Sequence, residues 1–113
     1  MNPPLDTMKP DHPDPPPEWR YADLAVARIG QAFADLRRDR GQAQAAAANA
    51  AGLHPSQLSR FELGHRGATL TQFTRLCVVL DLHPARVLAR ALPPHWPPTT
   101  APTSATLIDP HGV

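Results

Sequence analysis

Fifteen prolines in 113 residues, and where they fall, limit this chain more than any other feature. Seven precede Trp19, six follow Leu92, and only Pro55 and Pro84 lie between. Proline fixes φ and removes a backbone donor, so runs such as Pro15-Pro16-Pro17 cannot sit inside a helix or a central strand. Such segments also carry too little apolar surface to offset the entropy of ordering them. The expected organisation is a proline-rich N-terminal tail (1–17), a folded unit (18–92) and a proline-rich C-terminal tail (93–113), with both tails disordered. About 75 residues remain to build one small domain.

The formal net charge of +1 hides an uneven distribution. Residues 18–92 hold ten arginines against Glu18, Asp23, Asp35, Asp39, Glu62 and Asp81, whereas the tails set Lys9 against Asp6, Asp11, Asp14 and Asp109. A basic folded unit between acidic tails suits a polyanionic partner without requiring one. The single cysteine, Cys77, excludes an intrachain disulfide and points to a cytoplasmic chain. No stretch has the pattern of a signal peptide or the length of a membrane span, so no membrane association is expected.

Between Trp19 and Leu92 nothing alternates at period two, and every apolar run fits a helical stripe. Val26, Ile29, Phe33 and Leu36 share a face of a first helix that ends near Arg40-Gly41. An alanine-rich second helix runs from about Gln44 to Ala51 and stops at Gly52. His54, Pro55 and Gln57 form a cap, an N1 proline and an N3 glutamine, which opens a third helix ending at Gly64. Thr69 and Gln72 have capping-box spacing at the start of a fourth helix, with Leu70, Phe73, Leu76, Cys77 and Leu80 on one side. His83-Pro84 repeats the cap-then-proline device before a short fifth helix carrying Val87, Leu88 and Ala91. The fold class is therefore all-α, with five short helices.

The segment Gln44–Gly64 is the most informative. Small side chains let the second helix pack closely, Gly52 permits a tight turn, Leu53 plugs it, and a capped helix begins two residues later. At about 100° per residue, Leu58, Phe61 and Glu62 fall on one side of the third helix. Ser56, Ser59, Arg60 and Leu63 point the other way, with Pro55 and Gln57 on the flanks. Arginine suits guanine O6 and N7, glutamine suits adenine N6 and N7, and serine suits either. An exposed first turn with these side chains is what a helix-turn-helix presents to the major groove.

On these residues the stretch Ile29–Leu88 resembles the phage-repressor-like (lambda repressor/Cro, XRE-type) helix-turn-helix domains. The likeness rests on Ile29-Gly30, Leu36-Arg37, Arg40-Gly41, Gln44, Ala48, Gly52-Leu53, Leu58 to Glu62, Gly64, and the closing Leu76…Leu80-Asp81-Leu82-His83-Pro84. It implies a compact five-helix lambda-repressor-like bundle that binds double-stranded DNA. By resemblance, Pro55, Ser56, Gln57 and Arg60 would read bases. Gln44, Ser59, His65, Arg66, Thr69 and Thr71 would hold phosphates, and Arg37 would form a structural ion pair with Glu62. Ala43, Ala47 and Pro55 depart from the family pattern; they weaken the cap of the second helix, remove core volume, and reduce one base contact to an apolar one.

The function implied is a transcriptional regulator, a repressor binding a near-palindromic operator as a homodimer. The alternative is an antitoxin or accessory module that binds a partner protein through the same domain or through its proline-rich tails. Six histidines show no ligand spacing, so no metal is expected, and no cofactor or catalytic set is legible; an enzyme is not expected. Cys77 reads as a buried thiol. Tyr21 and Leu24 fall opposite the core stripe of the first helix if that helix reaches back to Glu18, and Trp96, Leu107 and Ile108 are candidates for a C-terminal arm.

Overall fold

The computed structural model describes residues 14–98. His12, Leu107, Ile108 and His111 lie outside the described residues. Five helices follow in order: α1 (Trp19–Asp39), α2 (Gln44–Ala50), α3 (Pro55–Glu62), α4 (Leu70–Val79) and α5 (Pro84–Ala91). No strand occurs among the described residues. α1 is not short: it runs for 21 residues and is the post on which α3 and α5 pack, while α2 lies against α3 and α4.

The core is built from side chains whose spacing places them on inner helical faces. Phe33, Ala47, Ala48, Leu58, Leu76 and Val87 are fully enclosed. Phe61 stands between Phe33 and Phe73, with ring centroids at 6.1 and 6.4 Å. Tilted and edge-on aromatic contacts of this kind add to simple burial. Two residues assigned to core stripes turn outward instead: Val26 is 40% exposed and Leu70 is 77% exposed. Ala25, Gly30 and Ala32 take the inner positions on α1 near Val26. Leu70 is the first residue of α4, where the chain has only begun to turn toward the core.

The close crossing of α1 and α3 depends on Gly30. A Cβ built there would lie 1.8 Å from the Phe61 carbonyl oxygen, so any larger residue forces the helices apart. The sharp turn after α2 depends on Gly52, at φ +79°, a conformation that side chains rarely tolerate. It lets Leu53 N–H donate to the Ala48 carbonyl at 2.8 Å and brings Leu53 into the core. The same backbone pattern closes α4, where Leu82 N–H donates to Cys77 across Asp81 at φ +53°.

Helix starts follow the sequence signals. His54 and Thr69 each take part in a capping box, with Gln57 and Gln72 returning a bond to the cap residue. His83 caps α5 by accepting Ala85 N–H at 3.0 Å. α2 has Ala43 at its cap position and so begins without a side-chain cap.

Candidate nucleic-acid interface

α3 divides into two faces. Leu58, Phe61 and Glu62 are buried, whereas Ser56, Arg60 and Leu63 are exposed and Pro55, Gln57 and Ser59 are half-buried on the flanks. The loop beyond α3 brings His65 and Arg66 to the surface, and the start of α4 exposes Thr69 and Thr71.

Beneath the face sits a buried polar cluster. Arg37 Nε and Nη2 donate to Glu62 Oε2 and Oε1 at 2.7 and 2.9 Å, a two-pronged ion pair between α1 and α3. Gln44 Nε2 donates to the same Oε1 at 2.8 Å, and Arg37 Nη1 donates to the Gln42 carbonyl at 2.6 Å. Three hydrogen bonds thus tie α1, α2 and α3 through one carboxylate, and a fourth ties Arg37 to the turn before α2; together they fix the angle at which α3 is presented. Arg37 is held above its ordinary pKa, first by the hydrogen bond to Glu62, with burial opposing and the Glu62 charge adding to the rise. Gln44 opens α2 as a half-buried residue, and one of its amide hydrogens is committed to Glu62.

The cap of α3 also engages residues assigned to base reading. Gln57 Oε1 accepts His54 N–H at 2.8 Å, and Ser56 Oγ lies 2.8 Å from His54 Nδ1, which itself accepts Ser56 N–H at 3.1 Å. Two-pronged reading of adenine needs both the oxygen and the nitrogen of the glutamine amide. Gln57 already spends one of the two lone pairs of Oε1 in the capping box, so it reads adenine only by sharing that oxygen or by opening the box. Arg60 is exposed and makes none of the side-chain hydrogen bonds seen among the described residues, so its planar fork remains available. Thr69 Oγ1 accepts Gln72 N–H at 3.0 Å, which leaves its hydroxyl hydrogen free to donate.

A small domain in which a close-packed alanine helix, a glycine turn and a capped helix set a polar face outward can lie against a duplex major groove. Residues 28–91, more than half of the chain, match the model of the helix-turn-helix domain family. The chain belongs to this family, in its phage-repressor-like branch. This helix-turn-helix protein is similar in structure to the restriction-modification controller protein C.AhdI from Aeromonas hydrophila, with 35% sequence identity and a TM-score of 0.53. The likeness covers 61% of this chain and 96% of that one. No curated protein gives a significant match. Membership makes the chain a DNA-binding regulator of transcription.

Sequence reasoning missed two structural contributors. Gly30 sets the α1–α3 distance; the readable signal was a glycine within an otherwise apolar helical stripe. Arg40 donates to the carbonyls of Leu80 and Asp81 and ties the end of α1 to the α4–α5 turn. Nothing in local spacing links residues so far apart. Among the described residues no three His, Cys, Asp or Glu side chains converge as a metal site would require. No described helix is long and apolar enough to cross a membrane.

Proposed function

We propose that the protein is a repressor that binds a near-palindromic operator as a homodimer, with one α3 in each of two successive major grooves. The observation that carries this reading is the outward face of α3: Arg60 free, and the helix held at a fixed angle by the Arg37–Glu62–Gln44 cluster. Arg60 is the principal base-reading residue, most suited to guanine, with Ser56 and Gln57 beside it and Pro55 offering an apolar contact to a thymine methyl. Gln44, Ser59, His65, Arg66, Thr69 and Thr71 form the phosphate-holding rim that sets register. Two-fold pairing is favoured by an apolar surface at the far end of α3, where Val26, Leu70 and Leu88 stand exposed around a shallow groove floored by Phe61 and Phe73. Occupancy of an operator would repress by excluding polymerase, and the chain acts as a regulator rather than an enzyme.

The test begins with selection of duplexes from a random pool by the full-length protein, followed by affinity measurements on the selected site and on mismatched sites. Arg60→Ala should cost about 1–3 kcal/mol on the selected site and erase preference at one base position. Arg66→Ala should weaken all duplexes alike and lower the salt slope by about one. No enrichment of any sequence, with the protein folded, would refute the reading. Gel filtration across a concentration series, with Leu70→Glu as the control, tests the two-fold pairing.

A further inference from the structure

The family match begins at residue 28 and ends at residue 91, yet α1 starts nine residues earlier and the described chain runs on to Pro98. These two additions meet. Tyr21, Leu24 and Arg28 of α1 and Pro93, His95, Trp96 and Pro98 after α5 line a groove of about 240 Å³. Tyr21 and Leu24 remain 38% and 49% exposed, and Trp96 is half-buried. Arg28 is exposed and takes part in none of the ion pairs among the described residues. The groove thus combines aromatic walls, an aliphatic floor and an unpaired positive charge.

The N-terminal sequence has the complementary pattern. In a polyproline helix, with three residues per turn, Pro10, Pro13 and Pro16 share one edge and Asp11 and Asp14 share the next. We propose that this groove is a docking site for the Pro10–Pro16 segment of a second copy of this chain. Proline rings stack on aromatic walls, and proline's fixed φ leaves such a segment less entropy to lose on binding. The lengths agree: Tyr21 to Arg28 spans about 10 Å of α-helix, and two prolines three residues apart span about 9 Å. One edge then contacts Tyr21 and Trp96 while Asp11 or Asp14 faces Arg28. The copy's segment is favoured over the chain's own because Trp19 N–H donates to Pro16 and Arg20 Nε to Pro17, which pins that end at the start of α1. Asp14–Pro17 is exposed there, outside the groove. This contact is independent of the DNA-binding reading.

The experiment titrates a synthetic peptide of residues 8–17 into the full-length protein and follows the Trp96 indole and Tyr21 resonances by NMR. Saturable shifts at both, with dissociation on the order of 0.1–1 mM for so small a contact, are expected. Arg28→Glu should weaken binding about two- to tenfold, the effect of losing one exposed charge pair and adding a repulsion, while the rest of the spectrum shows the fold intact. A peptide with Pro10, Pro13 and Pro16→Ala should not bind. Diluting the protein alone should move the Trp96 resonance back toward that of the Arg28→Glu variant. Three results would each overturn the proposal: no shift at Trp96 with millimolar peptide, equal binding by a scrambled peptide of the same composition, or a Trp96 resonance independent of protein concentration.

Discussion

Removing the Glu62 carboxylate should be among the most damaging single changes in this domain. Arg37 and Glu62 are 7% and 5% exposed, so Glu62→Ala leaves a guanidinium enclosed without its two-pronged partner and strands the Gln44 amide. Breaking a buried pair from one side costs about 3–5 kcal/mol, because the surviving charge is neither solvated nor paired. A domain of this size has roughly 4–13 kcal/mol in all. The expected loss is therefore a large share of the total, and it should lower the melting temperature by about 12 °C or more. The contribution is not one that alkali readily removes. Arg37 is raised above its ordinary value, so its share of the stability is complete below the usual arginine range and is lost only above it.

The assay is urea unfolding of Arg37→Met, Glu62→Leu and the double variant. Each single change should cost several kcal/mol, whereas the double variant, with both charges gone, should lie within about 2 kcal/mol of the parent. The coupling energy should then exceed about 2 kcal/mol. Additivity within about 0.5 kcal/mol, the behaviour of independent sites, would refute the claim that this pair acts as one unit.

Other perturbations test separate parts of the structure. Gly30→Ala sets a methyl against the Phe61 backbone, and thermal unfolding should show a loss of about 3 kcal/mol or more, at or beyond the upper end of overpacking costs. Thr69→Ala removes the acceptor for Gln72 N–H and should cost about 1 kcal/mol in urea unfolding, with Thr69→Ser recovering most of it. Burial pushes the Cys77 thiol up from 9.0 to about 11, so the unfolded chain releases its proton first as pH rises. Stability should therefore fall between those values, by on the order of 2–3 kcal/mol, and this slope should vanish in Cys77→Ala. At neutral pH the thiol should react slowly with a disulfide reagent until the protein is unfolded.

Helix order and capping were legible because each depends on neighbours in sequence. His54-Pro55, Thr69…Gln72 and His83-Pro84 name their own helix starts, and the structure uses all three. Spacing at about 100° per residue puts Leu58, Phe61 and Glu62 on one side of α3, and all three are buried. Periodicity was less informative at helix ends. It assigned Leu70 to a stripe without showing that the first residue of α4 precedes the turn toward the core. It likewise could not show that Ala25 and Ala32, rather than Val26, would take the inner positions of α1, since that depends on how closely Gly30 admits α3. The partners of Gln44 and Gln57 were equally out of reach. Whether an amide faces solvent or a neighbouring carboxylate depends on a tertiary distance.

Those two glutamines also change how specificity is built. The features that make α3 a short, well-bounded helix, His54 as cap and Gln57 at its third position, draw Ser56 and Gln57 into bonds within the protein. A side chain already bonded within the protein gains less from a base wherever it must share or replace that bond, which shrinks its contribution to discrimination. Arg60 gives up no such internal bond. Base preference should accordingly be concentrated at the position under Arg60 and shallow at those under Ser56 and Gln57. In the selected duplexes one base pair per half-site should be close to invariant, with graded preference beside it. The double change His54→Ser with Gln57→Ala separates the two roles. Serine keeps a cap, so α3 should remain folded, and discrimination at the Arg60 position should stay within about 1 kcal/mol of the parent, less than one good two-pronged base contact supplies. If preference at the position under Gln57 was strong in the parent and collapses in this variant while the spectrum remains native, the glutamine reads bases directly, and the capping box is a resting state that DNA opens.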